Sequence, residues 1–460
     1  PMFPFKGIVR KITPKFIMSW YHLLLAFLAA LRYGFPGRKM IVIGITGTNG
    51  KTTTLDLAHR ALEQTGQGVA SCSSVRFKIN ETEWPNMLKM TMPGRFFLQK
   101  FLKKANKAKC KYAIIEVTSE GILQHRNKFI DFDIAIFTNL SPEHIERHGS
   151  FEKYREAKAK FFKQVKGLHI INMDDEQAPY FLQIASKEKI GYTAENQGDF
   201  SGKLVAAKNI QDLGKGVSFE VGNVVFELNL LGRFNVYNAL GAICLGLSQG
   251  LSLEQCERAL ETAEGIPGRM ETIYLGPFKA VVDYAFTPNA LKQVYKTLAA
   301  KNKEQMANRL ICVLGACGGG RDKWKRPVLG EIAKEYCEQI IVTNEDPYDE
   351  DPTEIINQVA FGAGERALKV VDRREAINKA LSLAKQGDVV IITGKGCEPW
   401  ICVENGKKIA WDDRKVVKEE AKELGLALAP EAPEQVVPQG KKALIQEMKR
   451  LQRFKDPKWH

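Results

Sequence analysis

The sequence predicts an α/β protein that has a mostly parallel sheet in a central domain and a second α/β domain after it. Short apolar runs alternate with helical patterns from residue 41 onwards, which is typical of parallel sheets. A glycine-rich turn follows the first apolar run, and the alternation restarts after the glycine-proline segment 265–269. The 460 residues suffice for two or three domains. We therefore expect a central P-loop domain, a C-terminal Rossmann-like domain and a short helical N-terminal extension.

The N-terminal segment, residues 1–40, has basic residues on both sides of an apolar block at 16–31. The block is shorter than the ~20 residues that span a bilayer, and no small-residue cleavage site of a signal peptide follows it. Two interpretations remain open. The block is a helix packed on the body of the protein, or it is an interfacial membrane helix with Trp20 and Tyr21 at the boundary.

The first strand and its turn predict a phosphate site. Ile41, Val42 and Ile43 indicate a buried strand, and a helical pattern begins after the turn. Backbone N–H groups of such a turn and the helix N-terminus attract phosphate, a lysine reaches the β- and γ-phosphates, and a hydroxyl holds Mg²⁺. The strict motif requires glycine where this chain has Ile45, but strand, turn and helix support it. The predicted nucleotide-binding residues are Thr46, Gly47, Thr48, Asn49, Gly50, Lys51, Thr52 and Thr53.

Polar residues follow three further predicted strands. Residues 111–117 end near Glu116, 131–140 end in Asn139, and 167–175 end in several polar residues. Since ligands bind at the carboxyl ends of parallel strands, we expect one shared site there. Residues 200–230 alternate in short runs that predict antiparallel strands on the flank.

A cluster of His144, Glu146 and His148 follows the second of these strands, and Lys158 lies on the next predicted helix. A solvated loop is the alternative, but the position beside a nucleotide site favours metal and phosphate chemistry. Glu116 offers the hard oxygen ligand that Mg²⁺ prefers.

The C-terminal half repeats the alternation of strands and helices, which predicts a second α/β domain. Its predicted strands lie at 279–285, 309–316, 339–346 and 388–396. The predicted divisions are an N-terminal helical segment at 1–40, a central domain at 41–268, a C-terminal domain at 269–430 and a basic tail at 431–460.

Composition narrows the class of function. The net charge of +14 fits nucleic acid, anionic lipid or phosphorylated substrates, and no nucleic-acid module is present, so phosphate ligands come first. The nine cysteines form no C-x-x-C pair, which favours a reducing cytoplasm over a disulfide framework.

Ten sequence blocks, in order and spacing, resemble the Mur ligases, which form amide bonds with ATP. The chain is most similar to the branch that adds the third residue to UDP-N-acetylmuramoyl-dipeptide. The resemblance covers about residues 40–430. The blocks lie at 44–54, 116–126, 137–149, 157–162, 230–238, 265–269, 283–288, 315–327, 344–352 and 394–398.

This resemblance implies an ADP-forming ligase that works through an acyl phosphate on a peptidoglycan precursor. ATP and two Mg²⁺ ions are the implied cofactors. The implied metal site comprises Thr52, Glu116, His144 and Lys158, and Lys158 matches a lysine that the family carbamylates. The residues implied in catalysis are Lys51, Glu116, His144 and Lys158. Further nucleotide contacts are implied for Asn139, Asn238, Arg269 and Asp283.

The acceptor and amino-acid sites are implied less completely. Thr91, Ser119 and Arg126 match the muramoyl-peptide site, whereas Arg321, Gly394 and Glu398 match the block residues around the incoming amino acid. Histidines usual in the family are replaced by Glu120, Phe286 and Cys397, so we expect ordinary structural roles there. Only 40 residues precede the P-loop strand, too few for the usual UDP-binding domain. Either the basic N-terminal helix substitutes, or the acceptor carries another group.

The amino-acid pocket also departs from the diaminopimelate branch. That branch has an arginine where this chain has Tyr348, and tyrosine cannot form a bidentate pair with a carboxylate. We therefore expect Glu345, Asp346 and Asp349 to favour a cationic side chain, with lysine ahead of diaminopimelate. The alternative is that these acids form a solvated, helix-capping loop.

Three other functions stay open. A relative of folylpolyglutamate or cyanophycin synthetases would act without a UDP-linked acceptor. A non-catalytic, nucleotide-dependent partner of cell-wall synthesis would explain the lost histidines and the apolar N-terminus. Nucleic-acid binding would rest on charge alone, and we expect none. We expect small-molecule substrates, cytoplasmic location and either no membrane contact or a peripheral one through residues 1–40.

Overall fold

The computed structural model describes residues 14–195, 200–299 and 309–428. The predicted basic tail at 431–460 lies outside these ranges, as does most of the basic stretch before the N-terminal helix. The apolar block forms helix α1 (Lys15–Tyr33), which begins after Pro14 and ends at Gly34 in the left-handed conformation.

The first sheet has eleven strands within the described residues. Their order is β11-β10-β9-β8-β7-β6-β1-β5-β2-β3-β4. The strands are β1 (Ile41–Thr46), β2 (Gly68–Cys72), β3 (Arg76–Ile79), β4 (Thr82–Pro85), β5 (Cys110–Glu116), β6 (Ile134–Phe137), β7 (Leu168–Asn172), β8 (Glu188–Thr193), β9 (Lys203–Asp212), β10 (Val217–Val221) and β11 (Val224–Leu228). The neighbouring strands β2, β5, β1, β6, β7, β8 and β9 pair in parallel and form the centre of the sheet. Strands β3 and β4 on one flank and β10 and β11 on the other are antiparallel, and the second flank was predicted for residues 200–230.

Helices cover both faces of this sheet, because its central strands are apolar on both sides. One core contains Ile43, Ile45 and the buried face of the helix that follows the P-loop, and the other contains Val42, Phe161 and Phe162. The helices are α2 (Lys51–Glu63), α3 (Arg95–Lys107), α4 (Ser119–Leu123), α5 (Ile145–His148), α6 (Phe151–Gln164), α7 (Ala178–Leu182), α8 (Phe234–Ser248) and α9 (Leu253–Glu261).

Among the residues that the structure describes, the second sheet has six strands in the order β12-β13-β17-β14-β15-β16, and only β12 of these is antiparallel to its neighbour. The strands are β12 (Glu271–Tyr274), β13 (Lys279–Asp283), β14 (Leu310–Leu314), β15 (Gln339–Thr343), β16 (Ala367–Val370) and β17 (Val389–Thr393), and a hairpin of β18 (Trp400–Cys402) and β19 (Lys408–Ala410) follows. Its helices are α10 (Pro288–Ala299), α11 (Lys325–Tyr336), α12 (Pro352–Ala363), α13 (Arg373–Leu383) and α14 (Asp413–Glu423). The predicted α/β fold, with its P-loop and Rossmann-like parts, is confirmed.

The topology brings the predicted strand ends together. Strand β1 lies between β5 and β6, and β7 follows β6. Thr46, Glu116 and the Thr138–Asn139 pair therefore meet at one edge of the first sheet. Thr138 donates from Oγ1 to the carbonyl of Asn49, at 2.7 Å, so the end of β6 supports the glycine-rich turn.

Candidate active site

The glycine-rich turn is held by the residues around it. Asn139 accepts the Asn49 N–H at Oδ1 (2.9 Å) and donates from Nδ2 to the Asn49 carbonyl (3.1 Å). Gly50 begins helix α2 with φ 81°, and a Cβ there would lie 2.3 Å from Oδ1 of Asn238. Only glycine fits both the left-handed backbone and this close approach. The turn is therefore pre-shaped before any phosphate binds.

Two lysines converge on one carbonyl of this turn. Lys51 Nζ donates to the carbonyls of Gly47 (3.0 Å) and Thr48 (2.8 Å), and Lys158 Nζ donates to the same Gly47 carbonyl (2.8 Å). Burial lowers the pKa of Lys158 well below its usual value, and the nearby Lys51 lowers it further. A lowered pKa of this kind favours the neutral amine, which is the nucleophilic form of lysine.

Hard oxygen donors lie beside these lysines. Glu116 is buried at the end of β5, and its Oε1 accepts the Ser74 N–H at 2.9 Å. Burial raises the pKa of Glu116, while Lys51, the Ser74 N–H and the Thr52 hydroxyl oppose that shift. A carboxylate and a hydroxyl next to the backbone N–H groups of the glycine-rich turn form a donor set that suits Mg²⁺. These residues fit the metal that the sequence led us to expect.

His144 and its neighbours complete this end of the site. His144 adopts a left-handed backbone (φ 57°) at the start of α5, and its ring contacts Tyr154. Tyr154 in turn shares a hydrogen bond of 3.2 Å with the Thr48 hydroxyl. Burial lowers the pKa of His144 well below its usual value, and Arg321, Lys325 and Lys158 add to that effect. The imidazole is therefore neutral, as a metal ligand requires. Thus the side chains of Glu116, His144 and Lys158 line the same cavity as the glycine-rich turn.

Other predicted nucleotide contacts have partners within the protein. Asn238 donates to Asn235 Oδ1 (2.8 Å) and accepts from the Thr54 hydroxyl (3.3 Å). Asp283 accepts the backbone N–H groups of Met270 and Ala285 with its two oxygens, both at 2.7 Å. Arg269 stacks over the Tyr284 ring at 4.2 Å. Each still lines the same cavity, so its role toward ATP stays a prediction.

The predicted acceptor residues lie on one side of this cavity. Thr91 is half-buried in the loop before α3. The Ser119 hydroxyl shares a 3.1 Å hydrogen bond with Nε2 of His148, and Arg126 donates to the Met92 carbonyl and to Oε1 of Gln124. The substitute residue Glu120 is also near, where it pairs with Arg147.

The second domain supplies the opposite wall of the cavity. The residues that are predicted to bind the incoming amino acid lie there, and we call this side the amino-acid wall. Arg321 and Tyr348 line the cavity there, and Tyr348 has a left-handed backbone with φ 55°. Glu398 accepts the Tyr284 hydroxyl at 2.8 Å. Phe286 and Cys397, which stand where the family usually has histidine, also line this wall. Phe286 packs edge-on against Tyr284.

The acids predicted to attract a cationic side chain already have partners. Glu345 is buried and accepts the Cys317 thiol at 2.8 Å, and a Cβ on Gly394 would meet its Oε2 at 2.5 Å. Asp346 is buried and accepts from Lys395 and from the backbone of Cys402. They are therefore not a solvated loop, and their preference for a cationic ligand stays a prediction. Asp349 instead accepts the Asn405 N–H at 2.8 Å, away from these two acids.

Sequence reasoning missed several residues that join the two domains. Lys325 donates to Glu143 across the domain interface at 2.6 Å, and both side chains are 3% exposed. Asp322 accepts the Glu146 N–H at 2.9 Å, which holds the loop of His144 against the second domain. Lys89 and Lys395 also enter the amino-acid wall. Lys395 was findable inside its Gly-Lys-Gly block, whereas no local pattern marks Lys89.

One cavity of about 2580 Å³ connects the glycine-rich turn, the acceptor side and the amino-acid wall. Two family profiles match the chain across these parts. The profile for the Mur ligase middle domain matches residues 45–246, and the profile for the Mur ligase glutamate ligase domain matches residues 268–396.

The chain belongs to the Mur ligase family.

Relatives of this chain are similar to it in sequence over most of their length. A UDP-N-acetylmuramyl-tripeptide synthetase from Roseiflexus sp. (strain RS-1) is 37% identical over 429 residues, which cover 87% of this chain and 82% of the relative. A UDP-N-acetylmuramoyl-L-alanyl-D-glutamate–2,6-diaminopimelate ligase from Syntrophomonas wolfei is 37% identical over 409 residues, 86% and 81% of the two chains.

Solved structures show the same fold. A UDP-N-acetylmuramoyl-L-alanyl-D-glutamate–2,6-diaminopimelate ligase superimposes with a TM-score of 0.56 at 32% identity, covering 84% of this chain and 79% of the other. The folylpolyglutamate synthase of Mycobacterium tuberculosis, complexed with ADP, gives a TM-score of 0.65 at 18% identity, covering 83% and 96%. This second likeness concerns the fold alone.

Mur ligases are ATP-dependent enzymes of the acid–amino-acid ligase class that build peptidoglycan precursors, and this Mur ligase has that activity. Its family acts on small-molecule substrates and typically needs Mg²⁺, and Mur ligases are cytoplasmic enzymes. The sequence-based prediction of the enzyme class is confirmed.

Proposed function

We propose that this Mur ligase adds an amino acid with a cationic side chain, lysine first, to the carboxylate of a muramoyl-peptide acceptor. The observation that supports it is the cavity that contains both the Lys51–Lys158 pair and a wall of Arg321, Tyr348 and Glu398, with the buried Asp346 joined to Glu398 behind that wall through Lys395. We assign residues 41–268 to the nucleotide-binding domain and 269–430 to the domain that brings the amino acid.

The reaction follows from the chemistry of these groups. The acceptor carboxylate attacks the γ-phosphorus of ATP and ADP leaves, which gives an acyl phosphate. The amine then attacks the acyl carbon, loses a proton, and phosphate departs as the amide forms. Lys51 holds the transferring phosphoryl group and neutralises its charge, and closure of the second domain excludes water from the acyl phosphate.

Substrate positioning falls to residues on both walls. Thr91, Ser119 and Arg126 orient the acceptor, and Arg321 binds the carboxylate of the amino acid. Glu398 holds its amine. The guanidinium of Arg321 lines the cavity beside Tyr284 and Tyr348, where a carboxylate would find a planar two-donor partner.

We also propose that Lys158 is carbamylated. Its neutral amine attacks CO₂, one proton leaves, and the lysine becomes an anionic carbamate beside Glu116 and His144. Two Mg²⁺ ions would be held by Thr52, Glu116, His144 and this carbamate, and they would supply positive charge near the triphosphate. Without the carboxyl group, the lysine would place a cation or a neutral amine at a metal site.

An amino-acid screen tests the proposed substrate. With ATP, Mg²⁺ and a muramoyl-dipeptide acceptor, we expect lysine to support phosphate release at a kcat/KM about tenfold above that for diaminopimelate, since Tyr348 cannot clamp a distal carboxylate. UDP-linked and UDP-free acceptors, folate among them, are compared in the same assay. A preference for diaminopimelate would refute the cationic pocket, and turnover only with folate would refute the muramoyl acceptor.

The outer face of α1 supports a peripheral membrane contact. Seven large apolar side chains of this helix are at least 40% exposed, whereas Ala26, Ala29 and Ala30 are buried on the inner face. By length and composition, Phe16–Tyr33 could also cross a membrane. The exposed side chains are Phe16, Ile17, Trp20, Leu24, Phe27, Leu28 and Leu31.

Basic residues on and around α1 favour binding to an anionic lipid surface. Arg32, Lys39, Lys103 and Lys107 are exposed on and around it, and α3 contains no acidic residue. A surface helix of a globular protein normally turns polar residues outward, so this apolar face needs a cover, and basic flanks attract anionic headgroups.

Vesicle flotation tests this contact. The protein should float with phosphatidylglycerol-containing vesicles and much less with phosphatidylcholine alone, and the fluorescence of Trp20 should shift to the blue. The double variant Leu24→Glu/Leu28→Glu should lose at least about tenfold in binding, because two charges enter the lipid face. Phe361→Glu, at an 85% exposed position on the second domain, is the control. Equal flotation of both variants would contradict the proposal.

A further inference from the structure

Lys89 reaches from the first domain into the amino-acid wall of the second. It lies in the loop between β4 and α3, yet its Nζ pairs with Asp346 and donates to the Trp400 carbonyl at 3.2 Å. The same Nζ lies 3.4 Å from Oε2 of Glu398. Its side chain is only 8% exposed. A cation of the chain itself therefore occupies the acidic pocket.

The loop of Lys89 is built to present this side chain. Asn86 closes the loop, because its Nδ2 donates to the Met90 carbonyl (3.1 Å) and its Oδ1 accepts the Leu88 N–H (3.0 Å). Lys89 itself has φ 53°, a left-handed conformation that is uncommon for residues other than glycine and that a surrounding structure must impose. Trp400 Nε1 donates to the Met87 carbonyl at 3.4 Å, which fixes the loop to the second domain.

Two lysines pair with two carboxylates in this pocket. Lys395 donates to both oxygens of Asp346, at 3.1 Å each, and to Glu398 at 2.6 Å. With Lys89, two ammonium groups face the carboxylates of Asp346 and Glu398. A third carboxyl group, that of Glu345, has an oxygen within 4.8 Å of Asp346, and burial raises its pKa, which favours its neutral form. A third cation would add an uncompensated charge to a largely buried cluster, which is unfavourable. If Lys89 withdraws, Asp346 and Glu398 lose one of their two ammonium partners, and the cluster accepts a cation from outside.

The two lysines differ in their freedom to leave. Lys395 is 0% exposed and projects from the same domain as its two partners. Lys89 comes from the other domain, on a loop that continues into the predicted acceptor residue Thr91. Separation of the two domains, or a shift of this loop, therefore removes Lys89 and leaves Lys395 in place.

We propose that Lys89 is a specificity-determining residue, because its ammonium occupies the cation position beside Asp346 and an amino acid with a cationic side chain binds by displacing it. A neutral side chain has no cation to place there and does not compete with Lys89. The inference rests on the proposed function in naming the ligand. When an internal group fills a pocket most of the time, the apparent affinity of the ligand falls by the fraction of the pocket that is free.

The experiment compares lysine with norleucine, which has the same chain without the ε-amine. In Lys89→Met, we expect the KM for lysine to fall about tenfold relative to the wild type, whereas the KM values for norleucine and ATP change less than about twofold. Lys89→Arg keeps a cation and should retain the wild-type KM for lysine. Lys215→Met, at an exposed lysine in the turn between β9 and β10, is the control.

Direct binding separates this inference from the ligase proposal. Calorimetric titration of lysine into protein loaded with ADP and Mg²⁺ should show the same tightening in Lys89→Met without any turnover. Tighter binding without phosphate release from any variant would support the role of Lys89 and refute the proposed reaction. A KM and a dissociation constant for lysine that do not fall, or that fall equally for norleucine, would overturn the inference. If Lys89→Met fails to fold, Lys89→Gln replaces it.

Discussion

Lys158→Met is expected to reduce the rate of ATP-dependent ligation by about 10²–10³-fold, which is typical of removing one group that stabilises charge in a transition state. Methionine keeps an unbranched side chain of nearly the same length but has no amine to bond to the Gly47 carbonyl or to take up CO₂. The amine lies at the point where the turn, Lys51 and the proposed metal ligands meet. The measurement is phosphate release at saturating ATP, acceptor and amino acid.

A spectroscopic experiment tests the carbamate independently of rate. With ¹³C-bicarbonate, the wild type should show a carbamate carbon signal that Lys158→Met lacks. Lys160→Met, an exposed lysine on the same helix, should retain both the signal and the activity. A wild type without this signal, or a fully active Lys158→Met, would remove the carbamate from the mechanism.

Arg373→Met is expected to give the largest loss of stability, about 3–5 kcal/mol in the free energy of unfolding of the second domain. The guanidinium is 1% exposed and forms two bonds of 2.8 Å to Asp413, which is 0% exposed. It also donates to the carbonyls of Thr393 (2.8 Å) and Asn344 (3.2 Å). The substitution leaves a buried carboxylate without its cation at the ends of β15 and β17.

The next residue in the chain is a matched control. Arg374 pairs with Glu419 and Glu420, but its side chain is 43% exposed. Solvent screens the pair with Glu419, which is 38% exposed, whereas Glu420 is 4% exposed and keeps a hydrogen bond from Asn378. Arg374→Met should therefore cost about 1 kcal/mol, less than Arg373→Met. Urea denaturation of the full chain, followed by signals that report on the second domain, measures the free energy of unfolding of both variants. Equal midpoints for the two variants would show that the buried pair adds nothing beyond a surface pair.

Much of the nucleotide end of the site was predictable from local sequence. Residues 41–54 combine a buried strand, a glycine turn and a helix start, and each is specified by neighbours in the chain. The strands that end at Glu116 and Asn139 were found by their apolar runs, and parallel pairing then placed their ends beside the turn. The residue types at 116 and 144 therefore predicted metal and phosphate chemistry at this edge before the fold was known. The role of Lys158 as a carbamylated ligand came from the family resemblance and stays a prediction.

The amino-acid wall was less predictable, because its contacts cross the chain. Glu345 and Asp346 suggested a pocket for a cation, but their partners Cys317, Lys395 and Lys89 are far away in sequence. Similarly, Glu143 gave no sign of its pair with Lys325, 182 residues later. Propensity and periodicity describe neighbours along the chain, and they contain no term for such pairs.

The sequence by itself determined the fold class, the glycine-rich turn between strand and helix, and the family of this protein, since local patterns and ordered motifs carry that information. The tertiary structure alone decided which charges meet across the cleft. It placed the amine of Lys158 on the Gly47 carbonyl and the ammonium of Lys89 beside Asp346. The physical reason is that burial and pairing set the charge and availability of an ionisable group, and both depend on residues that only folding brings together.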